Sequence, residues 1–370
     1  MFHMSHKITT KICLSIVAVA AVLLAGCGGE IRKHEFNIAY PPPPEEPRYY
    51  FERLIMSSLD IREITASDKL RAIATGSIGS SEGLAKPWGI AVHQGKVYVA
   101  DTVQRAVLMF DVPGKEFKFI GTDGPGQLSK PIGLDVAKSG NLYVADNTAR
   151  KVVAFDADGN FLNIYGNPNK LHRPSGVAIS PDESKVYILD TGGVSTQDHQ
   201  FHIYDTRTGD LIRTVGTRGT EDGNFNLPQQ ITAADDGTIY VTDGGNFRVQ
   251  SFTPDGDFIS KFGSIGRKSG QFSRPKGITT DREGNIYVVD SAFGNFQIFN
   301  KKEQLLLFIG ERGEVNAPGK YMLPTGIDVD EDGRVYVADQ FHRKVEVFRP
   351  ASLAEDQGYL AGEHLKVPTK

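Results

Sequence analysis

Residues 130–146 read Lys130-Pro131-Ile132-Gly133-Leu134-Asp135-Val136-Ala137-Lys138-Ser139-Gly140-Asn141-Leu142-Tyr143-Val144-Ala145-Asp146. An apolar run after Pro-x-Gly, a Ser-Gly-Asn turn and a Tyr-Val-x-Asp run make a β-hairpin. The unit recurs six times. Pro87-Trp88-Gly89 leads to Tyr98 and Asp101, Pro174-Ser175-Gly176 to Tyr187 and Asp190, and Pro228-Gln229-Gln230 to Tyr240 and Asp243. Pro275-Lys276-Gly277 leads to Tyr287 and Asp290, and Pro324-Thr325-Gly326 to Tyr336 and Asp339. The six prolines are separated by 44, 43, 54, 47 and 49 residues. A third run in each unit ends on an aromatic: Phe110, Phe155, Tyr204, Phe252, Phe299, Phe348. A fourth ends on Gly121, Gly166, Gly216, Gly263 and Gly310 in the first five units. Four short antiparallel strands in about 45 residues, six times over, predict an all-β fold, a six-bladed β-propeller. The composition agrees: 40 Gly and 19 Pro in 370 residues favour turns over a helical bundle, and 39% hydrophobic content is too high for a disordered chain.

The sixth unit stops after its third strand, at Phe348. Leu70-Arg71-Ala72-Ile73-Ala74-Thr75-Gly76-Ser77-Ile78-Gly79 matches the fourth strand Phe258–Gly263 and the Ser-Ile-Gly after it. An amino-terminal strand from residue 70 is therefore expected to close the last blade and remove two sheet edges. The chain divides into residues 1–26, 27–47, 48–69 as an extension, 70–350 as the propeller, and 351–370 as a peripheral tail.

Residues 1–26 read as an export signal. Lys7 and Lys11 precede thirteen uncharged residues, Ile12 to Leu24, too short a run to span a bilayer comfortably. Leu24-Ala25-Gly26-Cys27 follows and resembles a bacterial lipobox, in which Cys27 is lipidated. Stable anchoring at the membrane follows from that, and Gly28 after the cysteine resembles the sorting signal of Gram-negative outer-membrane lipoproteins. Pro41 to Pro44 are expected to form a stiff polyproline II spacer within a tether over residues 27–47. Without residues 1–26 the chain carries 39 basic and 45 acidic residues, a net charge of −6, which argues against bulk electrostatic binding to nucleic acid or to an anionic surface but leaves room for a local basic patch. Cys13 and Cys27 are the two cysteines, so no disulfide framework or Cys-rich zinc site is available.

The repeats over residues 70–350 resemble NHL repeats, and six of them resemble the six-bladed NHL propeller lipoproteins of bacteria. The resemblance implies the fold and leaves the function open, because this scaffold carries binding modules and enzymes alike. It also implies that ligands sit on the end holding the loops into the first strands and the loops between the second and third strands. Lys86, Lys130, Arg173 and Arg274 precede the unit prolines there. Arg105, Arg150, Lys151, Arg248, Arg343 and Lys344 follow the second-strand aspartates. Two readings stand: a cationic rim for an anionic partner, or cations paired with Asp101 and its equivalents. Those aspartates are expected to accept backbone or Arg hydrogen bonds, and the repeated tyrosines to pack between blades with bonded hydroxyls. Trp88, Phe247, Phe293 and Phe341 lie on the same loops, as a contact surface or as packing.

The third unit carries an insertion, with 14 residues from Asp190 to Tyr204 where the others have 9. His172, Asp198, His199 and His202 are thereby candidates for a divalent-metal site. Peptide-amidating lyases, which resemble this propeller class, draw zinc-binding His from several blades; here three His sit in the third blade, and on that end His342 comes from elsewhere. Asp/Gly turns such as Asp156–Asn160 lack full calcium-loop spacing and read as hairpins. No cofactor is required by the sequence, with zinc or calcium as the alternative. The functional expectation is a lipid-anchored envelope binding or scaffold protein that holds a protein or glycan partner on one propeller face, without nucleic acid. The alternative is a metal-dependent lyase or hydrolase with its site at the channel.

Overall fold

A computed structural model describes residues 38–62, 64–76 and 81–361. The expected export signal and lipidation at Cys27 lie outside the described residues. Six antiparallel sheets follow one another in sequence, each opening on its Pro-x-Gly strand, as in Pro131–Val136, Leu142–Asp146, Lys151–Phe155 and Phe161–Tyr165. The first strand of each blade lines the axis. Each touches the first strand of the next blade, and Pro324–Val329 of blade six returns to Pro87–His93 of blade one.

Close approach at the axis explains the repeated glycine. A Cβ on Gly133 would lie 2.5 Å from the Ser175 carbonyl oxygen of the next blade, on Gly277 2.6 Å from that of Thr325, and on Gly326 2.7 Å from that of Trp88. All three are well inside van der Waals contact, so only hydrogen fits. Hydroxyls then tie neighbouring blades together. Thr191 donates to the Pro228 carbonyl at 2.7 Å, Thr242 to Lys276 at 2.6 Å, and Thr325 to Trp88 at 2.8 Å across the closing seam.

Apolar side chains from facing sheets fill the space between blades, as where Tyr98, Val107 and Ile120 meet Leu134, Val144 and Phe155. Burying each such side chain contributes about 1.5–3 kcal/mol. The repeated tyrosines pack in the interblade cores, and Tyr187, Tyr287 and Tyr336 have the bonded hydroxyls expected, while Tyr98 and Tyr240 have none among the described residues. Tyr187 donates to the Pro254 carbonyl of the next blade at 3.1 Å, and Tyr336 to Asp330 at 2.8 Å.

An amino-terminal strand does complete blade six, but it is a different one. Tyr49–Ile55 pairs antiparallel with Lys344–Pro350, while Ala66–Thr75, the expected strand, is an α-helix. Thr65 caps it by accepting from the Asp68 amide, Asp68 reaches back to the Thr65 amide, and Gly76 ends it in the left-handed region. Leu70, Arg71, Ala72 and Ala74 are strong helix formers, and this local preference overrides the resemblance to Phe258–Gly263. Tyr49–Ile55 places Phe51 edge-on to Phe348, and Glu52 against the fully buried Arg334 at 2.7 Å. The propeller thus begins near residue 49, within the segment read as an extension.

The polyproline spacer is also corrected. Ala39–Tyr40 pairs with Tyr49–Tyr50, the Arg48 amide donates to the Tyr40 carbonyl at 2.7 Å, and Tyr40 packs edge-on against Phe348. The prolines turn the chain back because the hairpin on either side of them is anchored to the blade. The described part of the tail packs as well. Leu360 is buried between blades six and one, and Arg334 donates to the Gln357 carbonyl at 2.9 Å.

Replacing Gly133 with Ala should lower unfolding stability by about 1–3 kcal/mol in a denaturant titration, because the methyl meets backbone rather than a side chain able to move aside.

Candidate functional site

The second-strand aspartates organise one end of the ring. Asp101 accepts the Ala85 and Lys86 amides at 2.7 Å with one oxygen and the Val103 and Gln104 amides at 3.0 Å with the other. Asp146 does the same with Ser129, Lys130, Thr148 and Ala149, and Asp339 with Met322, Leu323, Phe341 and His342. One buried carboxylate therefore clamps the loop leading into its blade to the loop between the second and third strands. Backbone donors satisfy it, and no cation is required. The clamp holds Arg105, Arg150 and Arg343 in the left-handed region, at φ 56°, 55° and 54°.

This separates the two readings of the cations. Arg248 alone of the predicted set pairs with its blade-end carboxylate, donating to Asp243 at 2.8 Å. Lys344 is fully buried against Glu346 at 2.5 Å and the Tyr321 ring, so it leaves the rim. Lys86, Arg105, Lys130 and Arg150 are exposed and have no ion pair among the described residues; the same holds for Arg173, Arg274 and Arg343. Lys151 is half-buried. Asp222 and Glu311 share this end but are paired with Lys261 and Lys320. Glu82, Asp123, Asp198, Glu221 and Glu314 stand there too, Asp198 against His172, and leave cations in the majority. The hairpin turns at the opposite end are acidic, as in Asp156-Ala157-Asp158, Asp255-Gly256-Asp257 and Asp330-Glu331-Asp332.

The aromatics divide. Trp88 is half-buried with the Lys276 ammonium 4.9 Å over its ring, and burial together with the Arg274 charge lowers Lys276 to about 8. Phe247 packs against the core of blades four and five, and Phe293 is half-buried. Phe341 is exposed.

The histidines of blade three do not form the expected metal set. His199 is buried with both ring nitrogens engaged, Nδ1 accepting from the Leu227 amide at 3.1 Å and Nε2 donating to the Gly193 carbonyl at 3.0 Å. His202 meets Thr214 at 3.0 Å, and burial lowers its pKa. His172 and Asp198 face each other at 3.5 Å. Among the described residues no cluster of three His, Cys, Asp or Glu side chains is placed to hold a metal. The inserted loop is held by its imidazoles because they supply the donors and acceptors its backbone lacks. His342 likewise meets the Gly313 carbonyl at 3.0 Å. The Asp156–Asn160 turn is the hairpin expected, with the Asp156 amide bonded to the Asn160 carbonyl.

A cavity of about 380 Å³ opens at the acidic end of the channel, opposite the cationic rim. Asp135 and Asp328 lie in its wall. Asp328 accepts the Val92 amide at 2.8 Å and the Thr279 hydroxyl at 2.7 Å, and Asp135 accepts the Ile179 amide at 2.9 Å. Loss of hydration raises Asp135 to about 6 and Asp328 to about 7, the latter also through the Asp135 charge. His93 and Glu331 pair beside them at 2.7 Å. The sequence reading passed over both aspartates. Their signal was the fifth place of the first strand, Ala91, Asp135, Ala178, Thr232, Thr279 and Asp328, which is small or polar within otherwise apolar strands.

Residues 225–252, from the lead-in of blade four to the end of its third strand, match the family model of the NHL repeat. The match covers that one repeat, and the chain around it is a six-bladed propeller. Among solved structures it is similar to a protein of unknown function from Bacteroides thetaiotaomicron, with a TM-score of 0.59 and 19% identity over 74% of this chain and 71% of that one. It is also similar to a gluconolactonase from Xanthomonas campestris, with a TM-score of 0.55 and 16% identity over 81% of this chain and 98% of that one. A virginiamycin B lyase from Staphylococcus aureus gives 0.52 and 16% over 72% and 95%. At these identities the likeness is one of fold.

Asp328 fixes a pH dependence. A carboxyl whose folded pKa is raised holds a proton in the native state that the unfolded chain has released, so stability falls as pH rises from about 4 through about 7. Asp328→Asn removes this component. The variant should exceed the parent by about 1–2 kcal/mol at pH 8, by less at pH 5, and match it at or below about pH 4 in paired thermal melts, a margin reduced by solvent in the channel.

Proposed function

We propose that this protein is a non-enzymatic binding protein of the cell envelope, moored through a lipidated Cys27 and holding an anionic partner on its cationic rim. The observation that carries the reading is the occupancy of the blade-end carboxylates by backbone amides. Among the described residues seven cations on one end of an acidic protein have no ion pair, and side chains of that kind take carboxylates or phosphates from outside. Their loops are held by buried clamps, so the charges are presented on a rigid frame. Among the described residues no helix is long and apolar enough to cross a membrane, and attachment rests on the amino-terminal sequence.

A lyase or hydrolase working in the channel is the second reading. Asp135 and Asp328 favour it, being raised toward neutrality inside a cavity and so able to exchange protons there. The gluconolactonase and virginiamycin B lyase folds are compatible with it. Turnover of a lactone or of virginiamycin B that disappears in Asp328→Asn, with partner binding intact, would favour this reading over the first.

Two measurements test the binding reading. Labelled palmitate should enter the wild-type chain and be absent from Cys27→Ser. Reversal of Arg105, Arg150 and Arg343 to Glu should abolish retention of the anionic partner in pull-downs from envelope fractions while leaving the melting temperature within a few degrees, since all three side chains are exposed. Retention unchanged by the triple reversal would refute it.

A further inference from the structure

The cationic end also carries exposed apolar tips. Val103 lies between the second and third strands of blade one, Val194 in the inserted loop of blade three, and Phe341 on blade six. Ile265 and Val315 lie on the loops leading into blades five and six, Val315 being 74% exposed. All five belong to loops that the propeller topology brings to one end. The segment joining Ile55 to Pro87 leaves and re-enters the ring at that same end. Its helix Ala66–Thr75 has no buried residue, leaves Leu70 and Ile73 bare on one side, and carries Lys69 and Arg71. A ten-residue helix held by its caps alone is marginal in water. At the opposite end Tyr359 is exposed, Phe161 and Leu211 open outer strands there at 38% and 39% exposure, and the other exposed apolar side chains of the outer strands, such as Ile212 and Phe308, lie along the sides of the ring.

We infer that this end of the propeller docks flat on an anionic lipid bilayer, so that the partner of the cationic rim is the headgroup layer of the membrane that holds the chain. The inference rests on the reading of the rim proposed above and names its occupant. Three observations favour lipid over a folded partner. The apolar tips are single residues on separate loops around a ring. A fluid plane can receive them all, whereas a rigid protein needs a matched pocket for each. Cations interleave with the tips, and each Lys or Arg near an anionic surface adds to the attraction. The tether is short: from Cys27 to Ile38 the chain reaches about 35–40 Å when fully extended. It joins the outer edge of blade six, where Ala39 pairs with Tyr50, a position from which either end could face the bilayer. Repulsion of the acidic hairpin end by anionic headgroups selects the cationic end.

The test uses the chain from Gly28 onward, which keeps every described contact and lacks the lipidated cysteine, floated with vesicles of phosphatidylcholine alone or with phosphatidylglycerol. Binding should require phosphatidylglycerol and weaken with salt. It should fall about tenfold or more on reversal of Arg105, Arg150 and Arg343 to Glu, and severalfold in Leu70→Ser/Ile73→Ser/Val315→Ser, with melting temperatures preserved in both variants. Failure to float with phosphatidylglycerol vesicles at low salt, or equal binding to both vesicle types, overturns the inference. If in addition the triple reversal releases a protein or glycan from the lipidated chain, the anionic-partner reading survives alone; if it releases nothing, both fall.

Discussion

Around the axis, backbone meets backbone with room for a hydrogen and nothing more. Gly133, Gly277 and Gly326 each stand against a carbonyl oxygen of the next blade, and the threonine hydroxyls bond to carbonyls in the same layer. This contact sets how near the six sheets approach and so fixes the angle between blades. The interblade cores, the channel and the placing of every loop follow from it. Where blade four carries Gln230 in place of glycine, the side-chain oxygen fills the gap before Gly176 and accepts the Ile231 amide.

The aspartate ending each second strand is the complementary device at the periphery of the axis. Its two oxygens meet up to four amides from two loops, so a single buried charge replaces the sheet hydrogen bonds that end at the blade edge. Because amides take the charge, most of the cations beside it in sequence have no ion pair among the described residues, Arg248 and Lys344 being the exceptions. Structure and surface chemistry are therefore coupled: a motif that stabilises each blade also fixes the electrostatic character of one end of the ring.

Blade number, strand order and the aspartate clamp were legible in the sequence because Pro-x-Gly and Tyr-Val-x-Asp recur with the period of a blade. The closing strand was not. Tyr49–Ile55 lacks the repeat signature, while Leu70–Gly79 imitates it in composition; capping by Thr65 and Gly76, a local property, decided the matter for helix. The cationic rim was legible as residues, but its freedom from the aspartates depended on three-dimensional bonding. The blade-three histidines misled because an imidazole serves a loop backbone as readily as a metal, and only the partners of His199 distinguish the two. Asp135 and Asp328 escaped notice because their burial arises from strands belonging to other blades.

Tyr49–Ile55 lies beside Lys344–Pro350, nearly 300 residues away along the chain. The ring cannot latch until its last repeat has emerged from the ribosome or translocon. Five blades must wait with an open seam while the first strand stands idle. For a chain read as exported, that delay has a use: a toroid that locks only upon completion stays threadable until the whole polypeptide has crossed.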